Sequence, residues 1–314
     1  MIFALFLTHA YGAETNTTWT YADGGADWGT AYPECASNDS IESPIDFSFN
    51  WTSPDSDLHD WSEDGFFYLP DTAGAVKVGV YGFDNWVYQM RNFTGGAGGF
   101  YAAEPRKGPQ NRQIYWQIDN IRFHVPAEHK INGTQYDVEM QIFGWDAYNR
   151  SVTCEGQGAT SVFFKVDPNN TDTGNDFFNW QSDAKTPGNE VQIDLSLVQP
   201  KTLSTTDNIY GYDGTDTMPG CGNVCWYVVE SPQGISQGQV DFFKLILGEY
   251  RYESNARDTG LGSDAQTPMF FWYGPFAPVP HPRPDPPSPD PPTADPPTAD
   301  LPAPPSGTEA STEF

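Results

Sequence analysis

The sequence predicts a mainly β (α+β) fold with a few short helices and a polyproline-type C-terminal tail. Three observations carry this reading. Short runs of β-branched and aromatic residues alternate with polar ones at period two, bounded by Gly, Asn, Asp or Pro. Aromatic residues are abundant, with 10 Trp, 16 Tyr and 21 Phe, which suits strands packed on a well-filled core. Residues 275–305 hold 15 of the 28 prolines, a composition that cannot bury a core.

Taken in order, Met1-Ile2-Phe3-Ala4-Leu5-Phe6-Leu7 is a short apolar run followed by small residues at Ala10, Gly12 and Ala13. This is the pattern of a signal peptide over residues 1–13, although a basic start is missing. Residues 14–275 read as one folded unit. Its strand-like runs are Val76 to Tyr81, Trp86 to Met90, Gln113 to Ile118, Tyr136 to Ile142, Ser161 to Val166 and Trp226 to Val229. Helical signals are confined to Ser236–Leu247, where the serine is placed to cap the run, and the region around Gln192 to Val198. Residues 276–314, with Asp-Pro-Pro-Thr-Ala at 290–294 and again at 295–299, read as an extended polyproline II segment. Such a segment is a flexible tail, a stalk carrying O-glycans, or a strut against neighbouring subunits.

The balance of 15 Lys and Arg against 42 Asp and Glu gives a formal net charge of -27. Binding to nucleic acid or to an anionic membrane surface needs basic patches, so both are excluded as primary roles. No run approaches the roughly 18 apolar residues of a membrane span. Seven N-x-S/T sequons, at Asn16, Asn38, Asn50, Asn92, Asn132, Asn149 and Asn169, mark N-glycan acceptors on exposed loops. Four cysteines fit two disulfides in an oxidising compartment, with three connectivities open. The expected location is secreted, extracellular or cell-surface.

Several ordered motifs then carry a resemblance. Trp19-Thr20-Tyr21, Trp28 and Tyr32-Pro33-Glu34-Cys35 are followed by Glu42-Ser43-Pro44-Ile45-Asp46 and by Ile121-Arg122-Phe123-His124-Val125-Pro126-Ala127-Glu128-His129 with Glu139-Met140-Gln141. Tyr212 to Cys221, Trp226 to Val229 and Ile235-Ser236 with Gln239-Val240 and Phe243 complete the set. Together they resemble the α-class carbonic anhydrases over most of the folded unit. The resemblance implies a central twisted, mostly antiparallel sheet of about ten strands with short surface helices. It also implies disulfides Cys35–Cys221 and Cys154–Cys225.

The chemistry departs from that family. Its members hold zinc with three histidines, and the matching positions here are Arg122, His124 and Gln141. A guanidinium stays protonated and cannot donate to a metal, and an amide oxygen is a weak zinc ligand. The remaining histidines, His9, His59, His129 and His281, offer no replacement set, and no counterpart of the family's proton shuttle stands between Gly82 and Trp86. No zinc or other cofactor is therefore expected, and no catalytic residue is assigned. Thr217, Glu128 and Glu139 match retained family positions that orient the metal-bound hydroxide or a ligand; without the metal they read as a buried scaffold. Asp216 stands at a pocket-lining leucine position and Met218 at a second threonine. A buried cation needs a partner, so Arg122 is expected at the vacated metal position, paired with Asp216 or Glu139.

These readings lead to a catalytically inactive, secreted glycoprotein serving as a structural or interaction module of a coat, matrix or filament. Its expected partners are other protein subunits, including copies of itself. Two alternatives come from different classes. One is a binding protein that takes a small anion or glycan in the former active-site cone through Arg122 and Asp216. The other is a residual CO2 hydratase or esterase.

Overall fold

The computed structural model describes residues 19–36, 42–47, 67–69, 75–84, 87–94, 96–102, 114–149, 151, 154–169, 171–183, 189–198, 208–249, 254–259 and 269–272. Of 67–69, 75–84, 208, 248–249 and 269–272 only the backbone is described. All belong to the first of two units, Met1–Phe276; the second, Ala277–Phe314, lies outside the described residues, as does the expected signal segment 1–13.

A short helix α1 (Trp28–Ala31) and a 3-10 turn (Pro33–Ala36) precede fifteen strands: β1 (Asp46–Phe47), β2 (Phe67–Leu69), β3 (Ala75–Asp84), β4 (Val87–Thr94), β5 (Gly99–Ala102), β6 (Ile114–His124), β7 (Lys130–Ile131), β8 (Thr134–Gln135), β9 (Val138–Asp146), β10 (Gln157–Val166), β11 (Glu190–Asp194), β12 (Asn208–Thr215), β13 (Asn223–Val229), β14 (Gln233–Ile235) and β15 (Met269–Trp272). Further 3-10 turns lie at Asp176–Ser182 and Leu195–Val198, and helix α2 spans Gln237–Glu249. Twelve strands form one sheet in the order β11-β3-β4-β6-β9-β10-β13-β12-β15, with β14 beside β10, β5 beside β6 and β2 beside β5. Among the described residues of this sheet, only β13 and β14 run parallel to a neighbour, in both cases β10, and in the small sheet β1 runs parallel to β7. The small sheet β1-β7-β8 is separate. A mainly β fold with a mostly antiparallel central sheet is what the sequence predicts; two more strands are present than the expected ten or so.

Period-two alternation divides the central strands between two faces. On one, Tyr88, Met90, Ile121, Phe123, Met140, Ile142, Val162 and Phe164 pack against Val240, Phe243 and Leu247 of α2 and against Phe177, Phe178 and Trp180. On the other, Phe143, Ala159, Phe163 and Trp226 pack with Phe47 and Ile131 of the small sheet. Between this cluster and a third, formed by Tyr21, Trp28, Cys35, Val87 and Cys221, the second face becomes polar. Gln89, Arg122, Gln141 and Ser161 are successive cross-strand partners on β4, β6, β9 and β10, so they form one row on that face.

Helix α2 starts where the sequence places it. Ser236 Oγ accepts from Gln239 N at 3.2 Å, and Gln239 Oε1 accepts from Ser236 N at 3.1 Å, a reciprocal cap of two otherwise orphaned donors. The helical reading of Gln192 to Val198 needs correction. Residues up to Asp194 belong to edge strand β11, paired antiparallel with β3, and only Leu195–Val198 turns. Val191 and Ile193 are buried while Gln192 is exposed, a strand alternation too short to be distinguished from a helical one in sequence.

The disulfides are Cys35–Cys221 and Cys154–Cys225, with Cα separations of 5.2 and 5.3 Å. Asn92, Asn132, Asn149 and Asn169 are all exposed, the first three with positive φ in a bulge or turn. Asn16, Asn38 and Asn50 lie outside the described residues. No helix among the described residues is long and apolar enough to cross a membrane.

Candidate functional site

The polar row on β4, β6 and β9, with the loop after β12 above it, brings the sequence-predicted residues together. Arg122 and Gln141 are cross-strand partners, as are His124 and Glu139, so all four share one face. Arg122 is 1% exposed and donates from Nη1 to Asp216 Oδ1 at 2.6 Å and from Nη2 to Asp216 Oδ2 at 3.1 Å. This fork geometry is the strong form of a charge-assisted pair. The guanidinium also lies over Phe143, with Cζ 3.9 Å from the ring centroid. Glu139, the other expected partner, is engaged elsewhere.

Asp216 reaches Arg122 because its loop is pinned. Its amide donates to Gly222 O at 2.7 Å, its Oδ1 accepts from Met218 N at 3.0 Å, and the loop is tied by Cys221 to Cys35. At the preceding strand, Gly214 has no room for a Cβ, which would collide with Ser43 Oγ and the Tyr212 ring. Ser43 Oγ accepts from Thr215 N at 3.0 Å and from the Tyr212 hydroxyl at 2.8 Å.

Gln141 is fully buried and its amide is committed at both ends. Nε2 donates to Glu128 Oε2 at 2.8 Å and to Glu139 Oε1 at 3.1 Å, while Oε1 accepts from Thr217 Oγ1 at 3.4 Å. Glu139 also accepts from Ser161 Oγ and His129 Nδ1, each at 2.7 Å, and from the amides of Glu128 and His129, each at 2.8 Å. Burial alone pushes its carboxyl up, but His129, His124 and Ser161 outweigh that and hold it at about 2. His129 Nε2 lies 2.5 Å from the Tyr212 hydroxyl, whose titration is pushed far up, first by burial.

His124 Nδ1 donates to the carbonyl of Asn255 at 2.7 Å and stands 3.2 Å from Glu128 Oε1. Burial pushes its pKa down, yet the Glu128 and Glu139 carboxylates raise it above the ordinary value. Its Nε2 is buried and has no hydrogen-bond partner. Glu128 is held in turn by the amide of Arg257 at 2.8 Å, and Arg257 forms a second buried pair with Glu42 at 2.8 Å, lying over Trp28.

The residues at the three ligand positions do not fit a divalent metal. Arg122 brings a permanent cation, already neutralised by Asp216, and Gln141 turns its amide nitrogen toward the carboxylates. A trio of Cys154, Asp213 and Cys225 also clusters, but both cysteines are consumed in a disulfide.

Sequence reasoning did not single out Gln89, Asn255, Arg257 or Tyr212 as site residues. Alternation in the Trp86–Met90 run places Gln89 opposite Tyr88 and Met90, a usable signal. Asn255 and Arg257 lie in a segment with neither periodicity nor a spaced motif, so only the tertiary structure reveals them.

The model of a family described as eukaryotic-type carbonic anhydrase matches residues 23–260. Dioscorin DB3L of Dioscorea polystachya is 31% identical over 143 residues, covering 44% of this chain and 48% of that protein. Alpha carbonic anhydrase 4 of Arabidopsis thaliana is 26% identical over 167 residues, covering 52% and 57%. The chain therefore spans about half the length of these relatives. Among solved structures, a halotolerant carbonic anhydrase from Dunaliella salina superposes with a TM-score of 0.59 at 22% identity, covering 82% of this chain and 99% of that one. A dioscorin complexed with ascorbate gives 0.58 at 20%, covering 82% and 98%. At these identities the likeness is one of fold.

Proposed function

Because the chain belongs to the eukaryotic-type carbonic anhydrase family, we propose that it is a member without catalysis, whose metal-ligand positions have been rebuilt as an ion pair and an amide network. The fork between Arg122 and Asp216 is the observation that carries this reading. It puts a fixed positive charge on the strand position of a zinc ligand and supplies its counter-charge from a pocket position. Glu128, Glu139 and Thr217 then act as the buried polar frame that orients Gln141, not as parts of a reaction centre.

In this proposal the protein is a secreted glycoprotein used as a structural or interaction module. Two disulfides support an oxidising compartment, and four exposed sequon asparagines support glycan attachment. The proline-rich segment and the acidic composition suit an extended extracellular coat, matrix or filament. The test uses full-length protein from a eukaryotic secretory host. Metal analysis is expected to find no stoichiometric zinc, and stopped-flow CO2 hydration to match buffer alone. Stoichiometric zinc together with hydration above buffer sinks the proposal. Electron microscopy of native material tests assembly, where dispersed monomers at high concentration speak against the module role.

A further inference from the structure

Among the described residues, one group of metal-ligating side chains converges away from the ligand positions: Cys154, Asp213 and Cys225. All three are buried, the cysteines completely. Asp213 Oδ1 lies 3.6 Å from Cys154 Sγ and 3.8 Å from Cys225 Sγ. Joined as a disulfide, the sulfurs have no proton to donate to this carboxylate. As thiolates, they and the carboxylate are three anionic ligands around one point.

The backbone brings them there. Asp213 on β12 and Cys225 on β13 are direct cross-strand partners, so their side chains leave the same face of the sheet. On the other side of β13 runs β10, parallel to it, with Gly158 beside Cys225. The chain enters β10 through a turn in which Glu155 and Gly156 have positive φ and Gln157 N donates to Cys154 O at 2.8 Å. That turn sets the Cα atoms of Cys154 and Cys225 5.3 Å apart.

A tetrahedral zinc, with Zn–S of about 2.3 Å and Zn–O of about 2.0 Å, sets its sulfur–oxygen edges at about 3.5 Å. Both sulfur–oxygen distances are already near that value. Only the covalent bond between the sulfurs separates the present arrangement from the ligand triangle. Two thiolates with one carboxylate select zinc or a softer divalent ion over calcium or magnesium, which take oxygen ligands. Burial suits the site, because a structural ion is enclosed as the chain folds around it and needs no channel in the finished fold.

We propose that Cys154, Asp213 and Cys225 are a metal site of the reduced chain, occupied by one thiophilic divalent ion and abolished when the Cys154–Cys225 bond forms. On loading, each thiol releases a proton and each thiolate bonds the ion. On oxidation, the two thiolates pass two electrons to a small-molecule disulfide, which takes up two protons and leaves as two thiols. The S–S bond closes and the ion departs. Before oxidation the ion keeps these two sulfurs from pairing with Cys35 or Cys221, which rules out the two wrong connectivities of the three open to four cysteines. The site is independent of the proposed loss of catalysis.

The probe is Cd2+ with the full chain, reduced in urea by a trialkylphosphine, which leaves as its oxide with an oxygen from water, and refolded by dilution. Equilibrium dialysis is expected to find one Cd2+ per chain. A thiolate-to-cadmium absorption band and a far-ultraviolet dichroism spectrum like that of the oxidised chain are expected with it. Adding a small-molecule disulfide is expected to release the ion. Asp213→Asn is expected to weaken binding roughly tenfold or more, whereas Cys35→Ser with Cys221→Ser leaves it in place. Binding unchanged by Asp213→Asn assigns the ion to loose thiols and overturns the site. So does a refolded reduced chain that takes up no Cd2+, or a chain that stays unfolded and binds no better than its Asp213→Asn form. Metal found in the oxidised secreted chain bears on the loss of catalysis and leaves this site untouched.

Discussion

Asp216 is the carboxylate on which Arg122 depends. Removing one member of a buried ion pair leaves the other uncompensated, at a cost of about 3–5 kcal/mol, whereas replacing both by apolar groups is often neutral. Asp216→Leu is therefore expected to lower stability by about that amount in urea unfolding, and Arg122→Met with Asp216→Leu to recover most of it. Two neighbouring groups set opposite limbs of the pH profile. The Glu139 carboxyl, at about 2 when folded against 4.5 ordinarily, contributes stability that is present above about 4.5 and lost as pH falls toward 2. Glu139→Gln is expected to cost about 3 kcal/mol at neutral pH and to flatten the acid limb of urea midpoints. His124 has a raised folded pKa, so its contribution is complete below the ordinary 6.5 and declines as pH rises through the higher folded value. His124→Gln is expected to flatten that upper limb. That Arg122 requires a carboxylate is legible in the sequence, from the cost of burying a cation. Which carboxylate answers is not, because Asp216 and Glu139 are distinguished only by the pinned loop after β12.

At the scale of elements, Gln239 does two jobs. It closes the reciprocal cap with Ser236, and its side-chain amide holds Asn175, accepting from N and donating to O, each at 2.9 Å. Asn175 in turn caps the 3-10 turn at Asp176–Ser182, whose Phe177, Phe178 and Trp180 pack on the sheet. Ser236→Ala is expected to cost about 1 kcal/mol, the usual value of a lost cap. Gln239→Ala is expected to cost more and to increase amide exchange in both the helix and the turn, as hydrogen-exchange mass spectrometry would show. Strands β4, β6, β9, β10 and β13 are legible, since each contains an alternating run bounded by turn residues, whereas the eight residues of β12 carry no such run. Strand β11 was not, because five residues of alternation carry too little signal to outweigh the turn that follows. The polar row on the sheet's second face escapes a sequence reading for a related reason. Gln89, Arg91 and Asn120 are near one another only through the β4–β6 register, which no local pattern states.

For the whole molecule, the two cross-links close loops of sequence separation 186 and 71. In the chain-entropy model each removes about 4–5 kcal/mol of freedom from the unfolded ensemble. Reduction with a thiol under otherwise native conditions is expected to lower the unfolding midpoint far more than any single substitution above. The Cys35–Cys221 bond has a second consequence, mechanical in kind. When the two ends of the chain are pulled apart, the bond carries the load past everything between residues 35 and 221. The stretch from β4 to β10 then cannot be drawn out, and a contour of about 650 Å stays unavailable for extension. A force-spectroscopy trace of the oxidised chain should lack that length, and a reducing agent should release it. In the proposed role as a link in an extracellular assembly, the sheet would serve as a rivet, with extension left to the chain outside residues 35–221.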